Sequence, residues 1–208
     1  LLSIKRGETI LDLACGQGFF SREFSKAGAK VIGVDVSKEL IGIAKKYSSR
    51  NNNSAMKPRQ TWLQQLNNHI SPEIEYHVAP ADNLNFFKNK SIDKTTLILA
   101  LQNIENVHGV LKECNRVLKD RGKLFIVLNH PSFRIPKQSS WGWDEKQKIQ
   151  YRRIDSYLSE SKAKIQMHPG DKPNEITWSF HRPLQFYFKM LNKYSFCVSH
   201  LEEWNSNK

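Results

Sequence analysis

Cysteine is scarce in this 208-residue chain. Cys15, Cys114 and Cys197 are too few and too scattered for a disulfide framework, and no Cys-x-x-Cys pair offers a zinc site, so no metal is expected. Long apolar runs are missing as well. No stretch approaches the roughly 18 uninterrupted apolar residues of a membrane-spanning helix, so no membrane span is expected. Internal repeats are absent. The chain begins Leu1-Leu2-Ser3, without an initiator Met. A reducing, cytoplasmic setting is the default for so few thiols. With 39% apolar and 25% charged residues, the composition is that of a soluble globular protein, long enough for one ordinary domain.

Positive charge is present in excess. Lys and Arg number 32 against 20 Asp and Glu, a formal charge of +12. Residues 1–130 hold 19 basic and 12 acidic side chains and residues 131–208 hold 13 and 8, so the excess is spread along the chain. Twenty-two of the basic residues are Lys. A dispersed Lys surplus keeps a protein soluble and attracts polyanions weakly, whereas proteins that read nucleic-acid grooves concentrate Arg. Charge alone therefore makes nucleic acid a secondary expectation.

The first 130 residues alternate regularly. Thr9–Cys15 is a short apolar run that stops at a glycine turn, a buried-strand signal. Phe19–Ala27 reads as a helix with Phe20, Phe24 and Ala27 on one face and Gly28 ending it. Lys30–Val36 is a second strand, and a helix follows from Ser37, its N-cap, to about Tyr47. Glu73–Ala79 is a third strand and Ser91–Leu101 contains a fourth. Asn106–Lys119 carries Val107, Val110, Leu111, Cys114, Val117 and Leu118 at helical spacing, and Asp120-Arg121-Gly122 turns into a fifth strand, Lys123–Asn129. Near-continuous apolar strands alternating with helices mean a mostly parallel sheet covered on both faces. The fold class is α/β, doubly wound and Rossmann-like.

Two segments break the rhythm. Ser48–Pro72 is a long connection with a candidate helix around Trp62, Leu63, Leu66 and Ile70. Pro131–Arg182 is a larger insert rich in Trp and Tyr, read as a substrate lid or as a small aromatic core of its own within a single domain spanning residues 1–208. Pro183–Lys193 is then a helix, and Phe196–Trp204 a sixth strand.

The chemistry concentrates in Ile10-Leu11-Asp12-Leu13-Ala14-Cys15-Gly16-Gln17-Gly18. A strand there delivers a glycine turn into a helix N-terminus, where small residues let backbone lie against a ligand and free N–H groups point outward. Asp35 ends the second strand, beside that turn, where a carboxylate can accept both hydroxyls of a ribose. Asp82-Asn83 forms an acidic loop after the third strand. The three together are far more specific than a glycine turn alone.

This stretch resembles motif I of the class I S-adenosylmethionine-dependent methyltransferases. Val34-Asp35-Val36-Ser37 is similar to their ribose-binding motif, Ala81-Asp82-Asn83-Leu84 to the loop that meets the adenine amino group, and Ile92–Asn106, which includes Leu101, to their strand-four motif. Leu111–Leu128 resembles the helix-turn-strand of the quinone-biosynthesis type. The resemblance implies S-adenosylmethionine as cofactor, held by Asp12, Ala14, Cys15, Gly16, Gly18, Asp35, Val36, Asp82, Asn83 and Leu101. It also implies that Asp12 steadies the turn and lies near the cofactor's amino group. Ala14 stands where the motif has its first glycine, a change that a negative φ tolerates. The family's N-terminal helix and seventh strand have no counterpart in the sequence, so a chain clipped at both ends is expected.

A nicotinamide-dependent dehydrogenase is the main competitor. Its fingerprint wants a third glycine where Ser21 stands, and it leaves Asp12 and Asp82-Asn83 without a role. Cys15 reads as a small packing residue. His130, after the fifth strand, and His181 are candidate general bases, each weighed against an ordinary structural histidine. The expected reaction is in-line methyl transfer to a small-molecule acceptor. Two alternatives stand beside it. One is an RNA methyltransferase using the basic Lys38–Arg59 region and Arg152-Arg153; the other is a cofactor-binding protein without turnover.

Overall fold

A computed structural model describes residues 2–53, 74–168 and 172–204. The chain divides into two compact units, Leu1–Ile98 with Arg116–Ile126, and Leu99–Asn115 with Val127–Lys208.

The first unit is built on strands β1 (Thr9–Leu13), β2 (Lys30–Asp35), β3 (Glu75–Val78), β4 (Ile92–Ile98) and β5 (Leu118–Val127). They form one parallel sheet in the order β3-β2-β1-β4-β5. Helix α1 (Phe19–Lys26) connects β1 to β2, and α2 (Lys38–Asn53) follows β2. The strand order reverses between β1 and β4, the switch point at whose carboxyl edge such sheets bind ligands. Ile10, Phe24, Ala29 and Val31 form one buried cluster, and Ile41, Ala44 and Tyr76 a second.

Local signals set most boundaries. The Ser37 hydroxyl accepts the N–H of Leu40 at 3.1 Å, the N-cap its position called for. Gly28, at φ 95°, closes α1 by donating to the Ser25 carbonyl at 2.9 Å.

Several expectations need correction. The buried face of α1 carries Ser21, Phe24 and Ser25, while Phe20 is exposed. The helix is turned from its apolar stripe because the Ser21 hydroxyl binds the buried Asp12 carboxylate at 2.6 Å. Helix α2 continues to Asn53, past its expected end near Tyr47. The candidate helix at Trp62–Ile70 lies outside the described residues.

The second unit holds a 3₁₀ turn (Leu101–Asn103), most of helix α3 (Val107–Val117), strands β6 (Ser139–Asp144), β7 (Ile149–Ile154), β8 (Ser161–His168) and β9 (Lys172–His181), and helix α4 (Leu184–Lys193). The Asn106 side chain caps α3 by accepting the Gly109 N–H at 3.0 Å. Val107, Val110, Leu111, Cys114, Val117 and Leu118 are all buried, as their spacing predicts. The helix stops at Val117, and β5 starts at Leu118 instead of after the Asp120–Gly122 turn, with Arg121 left-handed at φ 64° inside it.

The insert forms two antiparallel hairpins, β6–β7 and β8–β9. Its tryptophans do not make a buried core: Trp141 is 65% exposed, and Trp143 and Trp178 are exposed too. Residues 196–204 form no strand. Their apolar alternation gives a strand only where a neighbouring edge accepts it, and no described strand pairs with this segment, whose Val198, Leu201 and Trp204 are exposed.

Candidate functional site

The carboxyl edge of the first unit's sheet gathers the end of β1, the end of β2 and the loop after β3. Asp12 sits within β1 at 2% exposure. The β1–β4 register sets it opposite Thr96, whose hydroxyl donates to Oδ1 at 2.9 Å, while Ser21 from α1 donates to Oδ2. Both donors are neutral. Burial therefore dominates and raises the Asp12 pKa to about 6, the two hydroxyls and the Ser21 backbone N–H opposing the rise and the nearby Asp35 charge adding to it. A hydroxyl at Ser21 is thus required by Asp12, at the position where a dehydrogenase fingerprint needs glycine.

Asp35 closes β2 at 7% exposure. Its Oδ2 accepts the Gly16 N–H at 2.9 Å and its Oδ1 the Ser37 N–H at 2.8 Å. One carboxylate thus ties the glycine turn to the start of α2. The Asp35 carbonyl accepts the Ala79 N–H at 3.0 Å, which fastens the loop carrying Asp82 and Asn83 to the same edge. That loop turns through an Asn83 N–H to Pro80 carbonyl bond of 3.1 Å. Val36 is exposed beside Asp35.

Gly16 and Gly18 are left-handed, at φ 54° and 72°. A Cβ at Gly16 would meet nothing within 4 Å, so the backbone there borders open space. A Cβ at Gly18 would collide with the Tyr76 hydroxyl. Tyr76 is the residue the sequence reading missed. It lies opposite Gly33 across β2–β3, where a Cβ would come within 2.7 Å of the ring, and its hydroxyl bonds Ser48 at 3.1 Å. The glycine inside β2 was the available signal, since an interior strand glycine marks a close approach. Burial raises the Tyr76 pKa and pushes the Cys15 thiol up, so Cys15 is a packing group against Gly33 and no nucleophile.

Ala14 departs from expectation. Its φ is 54°, so alanine stands in a left-handed position where the family motif has glycine. That conformation costs an L-residue about 1–2 kcal/mol, against roughly 0.4–1 kcal/mol of extra chain entropy that glycine brings to the unfolded state. Ala14→Gly is expected to stabilise the chain by about 0.5–1 kcal/mol. A denaturant titration checks it, and a variant less stable than its parent would refute the strain.

The remaining candidates lie in the second unit. Leu101 is fully buried in the 3₁₀ turn. His130 has both ring nitrogens engaged: Nδ1 accepts the Ser132 N–H at 3.2 Å, and Nε2 meets Glu203 at 2.6 Å. The buried His181 donates from Nε2 to the Tyr157 carbonyl at 2.8 Å. Arg152 turns back onto the Phe133 carbonyl and the Ser139 hydroxyl, both at 2.8 Å, and Arg153 pairs with Asp155 at 3.0 Å. No helix among the described residues is long and apolar enough to cross a membrane.

A parallel sheet with a glycine turn after β1 and a backbone-anchored carboxylate after β2 places the chain in the Rossmann-like α/β class. The methyltransferase domain family matches residues 11–126, more than half of the chain. The chain belongs to that family, in its class I S-adenosylmethionine-dependent branch. It is similar to the demethylmenaquinone methyltransferase of Tropheryma whipplei (strain Twist), with 30% identity over 132 residues, covering 63% of this chain and 46% of the relative. The ubiquinone biosynthesis O-methyltransferase of Coxiella burnetii (strain Dugway 5J108-111) is 29% identical over 130 residues, covering 62% and 47%. The chain therefore spans about half the length of the curated relatives it matches. Among solved structures, an S-adenosylmethionine dependent methyltransferase from Mesorhizobium loti superposes with a TM-score of 0.71 at 25% identity, covering 96% of this chain and 78% of its own.

Proposed function

We propose that this chain binds S-adenosylmethionine and transfers its methyl group to a small-molecule acceptor. The observation that carries the proposal is the Asp35 carboxylate, anchored by two backbone N–H groups at the end of β2 beside the open backbone of Gly16. Each carboxylate oxygen accepts one N–H and keeps a further lone pair, so a ribose diol fits the remaining valence. The names of the quinone-biosynthesis relatives support a small acceptor.

When bound, the cofactor supplies an electrophilic methyl group that an acceptor atom takes by in-line displacement. The chain's own part is to bind and orient. Asp35 would hold the ribose, the Gly16–Gly18 backbone would border the cofactor, and Val36 with the Asp82-Asn83 loop would meet the adenine. Asp12 holds the turn in place through Ser21.

The test is linkage between ligand and stability. S-adenosylhomocysteine at about 100 times its dissociation constant is expected to raise stability by roughly 2.7 kcal/mol, and NADH to leave it unchanged. A thermal shift with NADH and none with either adenosyl compound would overturn the proposal.

A further inference from the structure

Two glycines of the first unit make room for one tyrosine. The Tyr76 ring crosses β2 at Gly33, and its phenol ends beneath Gly18, where a Cβ would strike the hydroxyl. The same Cβ would stand 3.0 Å from the Ala44 Cβ of α2. Gly18 is thus packed between α2 and the tyrosine. It also joins the turn to α1: its N–H donates to the Cys15 carbonyl at 2.9 Å, and its carbonyl accepts the Arg22 N–H at 3.1 Å. Tyr76 is buried, and its hydroxyl bonds Ser48 of α2 at 3.1 Å. The Ser21 hydroxyl, which holds Asp12, also bears on the phenol and favours its ionised form.

Glycine inside a strand weakens it, and a hydroxyl taken out of water costs free energy unless it is bonded. Filling the space beside Gly33 needs only an aromatic ring, which phenylalanine supplies. The hydroxyl does something the ring does not. It lies where β3, α2 and the glycine turn converge, and it is the tyrosine atom nearest to Gly18. At Gly16 the turn borders open space, so its bracing comes from the Gly18 end and from Asp35. A turn held in its binding conformation before the ligand arrives spares the ligand the cost of ordering it.

We propose that Tyr76 is a positioning residue for the cofactor: its hydroxyl, wedged between Gly18 and Ser48, holds the glycine turn where the ligand needs it. The proposal rests on the S-adenosylmethionine reading above. Tyr76 acts through the turn and through α2.

The experiment compares the full chain with Tyr76→Phe and Ser48→Ala, which remove the two ends of one contact and leave the ring in place. S-adenosylhomocysteine is titrated by calorimetry well below the unfolding transition. Amide exchange by NMR follows the Gly16 and Gly18 N–H groups in the free chain. Affinity is expected to fall about five-fold in each variant, within the worth of one neutral hydrogen bond, and no further in the double variant. Exchange at both glycines should quicken about five-fold beyond any change in β1 and β2. A merely structural hydroxyl would quicken exchange in the strands alike and leave the affinity of the folded chain unchanged. Affinity of the folded Tyr76→Phe variant within about two-fold of the parent overturns the proposal. So does exchange at the two glycines that rises no more than in the strands. Should Tyr76→Phe fail to fold, Ser48→Ala decides by the same two criteria. A parent that binds S-adenosylhomocysteine no better than Tyr76→Phe does brings down this proposal alone. A parent that binds no adenosyl compound brings down the methyltransferase reading and this proposal with it.

Discussion

Replacing Asp35 by alanine is expected to lower S-adenosylhomocysteine affinity by at least ten-fold and nearer to a hundred-fold. Charge-assisted hydrogen bonds contribute on the order of 1.5–3 kcal/mol each, and a ribose diol would make two. The structure adds a second loss. The same carboxylate accepts the N–H groups of Gly16 and Ser37, so the variant also frees the glycine turn from α2. Stability should fall by about 1–3 kcal/mol as those part-buried donors lose their acceptor. Asp35→Asn sharpens the test. Its single amide oxygen keeps one N–H group and turns an NH₂ group toward the other, so its stability should drop no less than that of the alanine variant. Its affinity should still fall at least ten-fold. Calorimetry well below the unfolding transition separates the two effects. Binding within about two-fold of the parent by both folded variants would remove Asp35 from the cofactor site.

What was legible in the sequence follows the distance over which each feature is determined. Ser37 as a cap, Gly28 as a helix end and the apolar stripe of α3 depend on neighbours within one turn, and the structure places each as its local pattern requires. The Asp35 position was legible because the β-turn-α-β connection is short and fixes which strand end lies beside which turn. Failures came where a distant partner decides. The face of α1 was misread because Ser21 answers a carboxylate nine residues earlier, outweighing the exposed Phe20. The left-handed Ala14 was invisible to composition, since nothing local favours alanine there. Tyr76 fills space left by Gly33 on another strand and by Gly18 in the turn. Periodicity carries no information about such convergence.

The other large effect concerns proton linkage at Asp12. Its folded pKa of about 6 lies above the ordinary 3.8, because burial disfavours the charge and only neutral donors, two hydroxyls and the Ser21 N–H, answer it. Between these values the folded chain binds more protons than the unfolded chain, so rising pH weakens the fold through this group. Its contribution is fully present below about pH 4 and is lost as pH rises through about 6. A gap of about two pKa units corresponds to about 3 kcal/mol. Asp12→Asn carries no such proton. Its amide can serve both Ser21 and Thr96, since each hydroxyl donates or accepts as needed. The stability of the variant relative to its parent should therefore climb by about 2–3 kcal/mol between pH 4 and pH 7. Taking the difference between the two proteins cancels the titration of every other carboxylate. Denaturant unfolding across that range measures it, and a flat difference would mean that Asp12 is ionised at its ordinary pKa. The same variant bears on the proposed cofactor site. A neutral side chain leaves the glycine turn in place while removing negative charge beneath it, so a loss of affinity for the cationic S-adenosylmethionine greater than that for the neutral-sulfur S-adenosylhomocysteine would trace to charge and not to the shape of the turn.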